Sequence, residues 1–326
     1  MARHDYLIIG AAVVDILAEA GFLEKKSKSN KYIEHVMCLS MATKTTLDEL
    51  KVNPGGSALN VAITIDCMGG RSALLTCIGE NVFGDFILKR LRDSNIDSSY
   101  IKRSETQTGI GINLVSNGEK SSLVYHGAVD DLSPLDISAA MVKNANHIII
   151  TSLTSAKNYL LFLKTLKLAA TYRVPVVFAP SITMLKKAYK RIRTLRHAFD
   201  IVIMNYEEAS FLTRKKDIRQ MLRTLPGRVV VITKDKDGAF AREGKHMMHV
   251  NSLPVKVKGT TGAGDVFCGA FVDTYYKTKS ISEALKIATT VAGMKLGRME
   301  AEVQCFPPEI MRFLKEYEKR IHVRKF

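Results

Sequence analysis

Four short runs decide the fold of this chain: HIIIT (147–151), VPVVFA (174–179), IVIM (201–204) and VVVIT (229–233). Each is apolar at successive positions and rich in β-branched residues. That is the pattern of a strand buried on both faces, not one with a wet side. The stretches between them, Tyr159 to Tyr172, Met184 to Phe199 and Glu207 to Leu225, carry apolar residues at helical spacing. Strands that alternate with helices imply crossover connections, and so a parallel sheet covered by helices on both faces.

Outward from this block the pattern is looser. Residues 6–14 (YLIIGAAVV) read as one opening buried strand, and residues 17–52 as an irregular basic excursion with strand-like pieces such as Tyr32 to Leu39. SALNVAITIDCM (57–68) reads as a helix ended by Gly69-Gly70, Ser72 to Ile78 as a strand, and Phe83 to Ser94 as a helix. Residues 109–126 alternate around Asn117-Gly118, the favoured two-residue hairpin turn. Further helices are expected at Ala263 to Lys277, at Ile281 to Leu296 and near Pro308 to Arg320. The expectation is a single α/β domain over 1–326. Its core is a three-layer, doubly wound, mostly parallel sheet, with a small β-sheet lid built from about 12–52 and 106–127.

Composition sets bounds on function. The chain has 326 residues, 46% hydrophobic and 25% charged, which is ordinary for a globular protein. Formal net charge is +16, spread over modest clusters at Lys25 to Lys31, Lys186 to Arg196 and Lys319 to Lys325. These read as solvated faces, since neither a zinc-finger spacing nor an aromatic-basic RNA signature accompanies them. No nucleic-acid partner is expected. The five cysteines form no CxxC pair, which points to small core residues in a reducing cytoplasm rather than to disulfides or zinc. The apolar N-terminal run is bracketed by Asp5 and Asp15 and reads as a strand, not a signal peptide. No run reaches the roughly 18 apolar residues of a membrane span.

The strongest chemical signal is Gly259-Thr260-Thr261-Gly262-Ala263-Gly264-Asp265, running directly into VFCGAF (266–271). Small residues let backbone approach a ligand, and a helix start aims unpaired N–H groups and a positive dipole end at it. The result is a cradle for phosphate. The amides of Gly262, Ala263 and Gly264 could hold charge developing on a moving phosphoryl group. Asp265 at its mouth would be repelled by bound phosphates, so its chemical use is to accept the proton of an attacking hydroxyl. The competing reading is an ordinary capping aspartate. Upstream, Gly55-Gly56-Ser57-Ala58-Leu59-Asn60 places a second glycine pair at a helix start, with Asn60 one turn in and able to bond vicinal hydroxyls. A tight turn before a buried helix would read the same way.

Together these motifs resemble the ribokinase family of carbohydrate kinases, also called the PfkB family. The likeness runs from about residue 6 to 312. It takes in Gly10 with Asp15, Gly79 to Asp85, Thr108-Gly109, Asn205-Tyr206-Glu207-Glu208, Thr233 to Gly238 and Ala288 to Gly297. The resemblance implies an ATP-dependent phosphotransferase with Asp265 as general base and Gly262, Ala263 and Gly264 as anion hole. It implies that Asp15, Gly55, Gly56 and Asn60 hold the acceptor, a neutral sugar or alternatively a nucleoside. Asn205, Thr233, Gly238 and Gly264 would line the nucleotide site. Glu208 and Asn205 would organise Mg²⁺ through water, although a helix cap with its first-turn acid explains that pair equally well. A monovalent cation such as K⁺ near 259–261 and 294–303 is implied, as is a homodimer formed through the lid.

Three positions depart from the family pattern. Gly259 stands where an aspartate is usual, which bears on the cation site. Asp235 stands where a glycine is usual, and its carboxylate would oppose donor phosphates unless Lys234 or Lys236 offsets it or it turns outward. Ala179-Pro180-Ser181 lacks the common acidic start. These departures leave open a weakened nucleotide- or sugar-binding protein. Ser57 follows the glycine pair where kinases of ribose or phosphosugars often carry lysine, which makes a phosphosugar acceptor less expected.

Overall fold

A computed structural model describes residues 4–20, 24–26, 36–38, 42, 44–116, 119–195, 198–255, 262–297, 307–317 and 320–326. Asn117-Gly118, Gly259 to Thr261 and all of 298–306 lie outside these residues.

The main sheet has ten strands. Its central part is parallel and runs, in spatial order, Val229–Thr233, Ile201–Asn205, Val176–Phe178, Ala145–Ile150, His4–Ile9, Ser72–Gly79 and Ile101–Ser104. Ala239–Glu243, His246–Val250 and Val323–Lys325 extend it antiparallel beyond Val229–Thr233. Alternate residues of the strands fill two cores. Tyr6, Ile8, Leu74, Ile149 and Val177 face helices Ser57–Cys67, Ala263–Thr278 and Ile281–Leu296. Leu7, Ile9, Leu75, Ile148 and Val176 face helices Ala156–Tyr172, Ile182–Ile192, Tyr206–Thr213 and Ile218–Thr224. Both faces of the sheet are covered, which is why its strands read as unbroken apolar runs.

From His4–Ile9 the chain winds outward through Ser72–Gly79, then returns to the other side at Ala145–Ile150. The reversal leaves a crevice at the carboxyl ends of these strands, where open α/β sheets bind ligands. A separate four-stranded sheet has the order Glu49–Gly55, Val13–Glu19, Ile110–Ser116, Glu119–Tyr125. A two-stranded piece pairs Glu24–Lys26 with Val36–Cys38.

Three local expectations are corrected. Residues 6–14 are not one strand. Gly10, at φ +153°, ends His4–Ile9 in the main sheet, and Val13–Glu19 begins in the small one. A side chain at Gly10 would strike the Thr151 hydroxyl. The helix expected to reach Phe199 ends at Ile192, and Phe199 packs into the core with Phe178, ring centroids 4.5 Å apart. The long helix expected over Glu207 to Leu225 is two helices. Arg214 takes a left-handed C-cap at φ 57°, and Asp217 caps the next helix by accepting from the Gln220 amide. Short-range capping wins over continuous apolar spacing here.

Candidate active site

Helix Ala263–Thr278 starts at Gly262, whose φ of +76° is left-handed and suits glycine. The first internal helix bond joins the Val266 amide to the Gly262 carbonyl, so the amides before it have no acceptor within the helix. Gly264 is exposed, and a side chain there would meet nothing within 4 Å. The helix mouth therefore opens on space at the sheet's carboxyl edge.

Asp265 lies one residue inside, half-buried. The side-chain amide of Asn60 donates to its Oδ2 at 3.0 Å, joining residues 205 positions apart. Close helix packing brings them together. A side chain at Gly269 would come within 2.9 Å of Thr64 Cβ and 3.0 Å of the Val61 carbonyl, so helices Ser57–Cys67 and Ala263–Thr278 touch backbone to backbone there. Asn60 also backs Gly262, its Nδ2 lying 3.1 Å from where a Cβ would be. Burial pushes the Asp265 carboxyl up to about 6; the Asn60 bond pulls it down, and the charge of Asp15 pushes it up again. A carboxylate with such a value is ionised near neutrality yet still a competent base.

Asp15 reaches the same space from the small sheet. Its strand pairs it with Asn53 on one side and Gly111 on the other. Side chains at Gly55 and Gly111 would fall 2.1 Å and 2.5 Å from its two carboxylate oxygens. Gly55 thus serves as clearance for Asp15. Gly56 has φ +98°, and a side chain there would lie 2.6 Å from the Ala11 carbonyl, which accepts from the Ala58 and Leu59 amides. The start of helix Ser57–Cys67 is already occupied by backbone, so its role is to carry Asn60, not to cradle an anion. Ser57 donates to Thr151 Oγ1 at 3.0 Å across the crevice.

On the other side of the crevice, Asn205 and Glu208 form a reciprocal cap. The Asn205 amide donates to Glu208 Oε2 at 2.9 Å, and Asn205 Oδ1 accepts from the Glu208 amide at 2.9 Å. The helix-cap reading of this pair is realised. Burial pushes the Glu208 carboxyl up to about 7, opposed by the Asn205 and Ile182 amides and reinforced by Asp265. Two carboxylates that repel each other across a cleft suit a divalent cation held through water. Among the described residues no cluster of three His, Cys, Asp or Glu side chains could hold a metal by itself.

Thr233 ends its strand beside Asn205, in register. Gly238, at φ +82°, has no room for a side chain, which would lie 2.0 Å from the Val250 carbonyl. Between them Asp235 is exposed and sits at φ +37°, the left-handed region that favours glycine. Lys234 pairs with Asp237 at 2.8 Å, not with Asp235.

The structure thus brings Asp15, Gly55, Asn60, Gly262, Gly264 and Asp265 together, and gathers Asn205, Glu208, Thr233 and Gly238 along the same strand edge. Sequence reading missed three contributors. They are Gly111 beneath Asp15, Thr151 opposite Ser57, and the Ile182 amide at Glu208. Gly111 had a signal, because glycine inside a strand marks a close approach. The Gly79-to-Asp85 motif is structural: Asn81 Oδ1 accepts from the Gly84 amide and from the Thr108 hydroxyl.

Fold and site define a carbohydrate-kinase type, and comparison with known proteins agrees. The model of the pfkB family carbohydrate kinase matches residues 32–307. The chain belongs to that family. It is 23% identical to the ATP-dependent 6-phosphofructokinase of Thermoanaerobacterium thermosaccharolyticum, over 90% of this chain and 88% of that one. It is 25% identical to the ribokinase of Bacillus subtilis, over 74% and 81%. A solved putative ribokinase II of E. coli in complex with ATP and Mg²⁺ superposes with a TM-score of 0.78 at 20% identity, over 97% and 100%. Among the described residues no helix is long and apolar enough to cross a membrane.

Proposed function

We propose that the protein transfers the γ-phosphate of ATP to a hydroxyl of a neutral sugar, of the ribose or fructose kind. The observation that carries this is the 3.0 Å bond from Asn60 to Asp265. It joins the acceptor motif to the anion cradle at one point.

In this reading Asp15, Asn60 and the backbone at Gly55 and Gly56 orient the acceptor. Asp265 takes the hydroxyl proton as that oxygen attacks the γ-phosphorus and the bond to the bridging oxygen breaks. The amides of Gly262, Ala263 and Gly264 receive the charge on the transferring group. Asn205, Thr233, Gly238 and Gly264 line the donor. Glu208 and Asn205 would hold Mg²⁺ through water, and the ion would supply neutralising charge beside the phosphates. The K⁺ site proposed near 259–261 and 294–303 falls outside the described residues except at 294–297. The small sheet acts as a lid whose outer face pairs with a second copy. The buried thiols Cys77 and Cys268 suit a reducing cytoplasm.

Ser57 in place of lysine favours a neutral acceptor over a phosphosugar. The test is turnover of ribose, fructose, inositol, adenosine, cytidine and fructose 6-phosphate with ATP and Mg²⁺. A neutral sugar is expected to turn over best, and Asp265→Asn to lower kcat by about 10²–10⁴-fold. Preference for adenosine or cytidine would make it a nucleoside kinase. Binding without turnover across the panel would make it a binding protein.

A further inference from the structure

Away from Asp265, a cavity of about 810 Å³ lies between helices Ile182–Ile192 and Tyr206–Thr213. Five cations line it: Lys186, Lys187, Lys190, Arg191 and Arg214, with no carboxylate among its walls. We propose that this cavity binds a small soluble polyanion carrying two or more phosphate groups.

Helix surfaces normally interleave charges of both signs, since like charges three and four apart repel. Here Ile182–Ile192 carries four cations and no acid. Among the described residues none of the five cations forms an ion pair with a carboxylate. Two are instead braced by rings: Arg191 lies 5.0 Å from the Tyr159 centroid and Arg214 lies 5.2 Å from that of Tyr189. Guanidinium groups held this way keep their donor edges for a bidentate acceptor, and lysines add point charge around it. The repulsion among the five is relieved when an anion enters.

The shape selects the class of anion. The volume is that of a small-molecule site, not an extended track. Nucleic acid read by stacking needs an open aromatic face. Tyr189 offers little, because Arg193 and Arg214 both lie over its ring and Phe211 meets it edge-on. Recognition here is by charge. Five cations exceed what one phosphate can use, so the fitting ligand carries several.

The experiment is titration calorimetry of the full chain with inorganic tripolyphosphate, with a non-hydrolysable ATP analogue saturating the Asp265 cleft. One further site is expected, with inorganic phosphate at least about tenfold weaker than tripolyphosphate. The triple variant Lys187→Ala, Lys190→Ala, Arg214→Ala should lose at least about tenfold in affinity. These side chains are exposed, so its melting temperature and its KM for ATP should hold. Three results would overturn the proposal: no heat once the analogue is bound, unchanged affinity in the variant, or tighter variant-sensitive binding of a short DNA duplex. If the protein ignores the ATP analogue but binds tripolyphosphate through these residues, the polyanion site stands and the kinase reading falls.

Discussion

Asp265 carries two opposing demands on one carboxyl group. Its value of about 6 lies above that of an unfolded aspartate, so the native state holds the proton more tightly than the unfolded chain. Between about pH 4 and pH 6 the native state binds more protons, and stability therefore falls as pH rises through this window. Above it the buried charge is a standing cost. Asp265→Asn keeps an acceptor for Asn60 and removes the charge. Its melting temperature at pH 7 should rise by about 2–4 °C, and the gain should shrink at pH 4.5. Activity runs the other way: kcat/KM should climb as pH rises through about 6 and then level. Asn60→Ala removes the bond that lowers the Asp265 value, so its rising limb should move to higher pH. An unmoved limb would mean that Asn60 does not set this base. Asp235 makes a second test. It sits exposed at φ +37° in the strand-end turn of the proposed donor site. Asp235→Gly should lower KM for ATP by roughly two- to fivefold, the scale of one exposed charge, with kcat unchanged. These single residues were legible in the sequence because each sits in a short motif. The Asp15 contacts were not, because Gly111 lies on a strand remote in sequence and only the sheet register puts it there.

At the scale of elements, the two site helices are held in register by Gly269. Thr64, whose hydroxyl donates to the Asn60 carbonyl, stands against it through its Cβ and methyl group. Gly269→Val would force the helices apart at the contact that joins Asn60 to Asp265. Overpacking of this kind costs about 1–3 kcal/mol. A misplacement near 1 Å at the base should lower kcat by about 10²-fold, with KM for ATP little changed. If stability falls and kcat does not, the helix contact has no part in placing the base. Val229–Thr233 and Ile281–Leu296 match the sequence reading to the residue, because a buried strand and a strongly periodic helix each impose their own spacing. The breaks were illegible for an equally physical reason. The apolar run continues across Gly10, so periodicity has no signal where the chain leaves one sheet for another. Arg214 ends its helix in a conformation usually marked by glycine or asparagine, and no such residue announces it.

On the scale of the whole molecule, the small sheet has two unlike faces. Asp15, Asn53, Gly111, Asn113 and Ser122 fall on one face by register together with one exposed apolar residue, Val124, and Ser122 donates to Asn113 Oδ1 at 2.8 Å. That face carries the carboxylate whose charge acts on Asp265. Leu50, Val52, Ile16, Ile112, Leu123 and Tyr125 fall on the other. Leu50 is 57% exposed, Leu123 59% and Tyr125 51%, a density of open apolar surface that a sheet face rarely leaves to water. Among the described residues no strand pairs with the outer edge of Glu49–Gly55 or of Glu119–Tyr125. A second copy is the occupant proposed for this face, since an isologous interface repeats each apolar row against itself. The net charge of +16 opposes that association through repulsion between copies, so added salt should favour the dimer. Sedimentation should show a dimer that tightens between low and moderate ionic strength. Val52→Lys with Leu123→Lys should give a monomer whose main sheet melts as before, because neither side chain enters the two cores. Its acceptor KM should rise more than its KM for ATP, since the face that carries Asp15 is the reverse of the face that is disturbed. A monomer at all concentrations in the unaltered chain would leave this face to another partner.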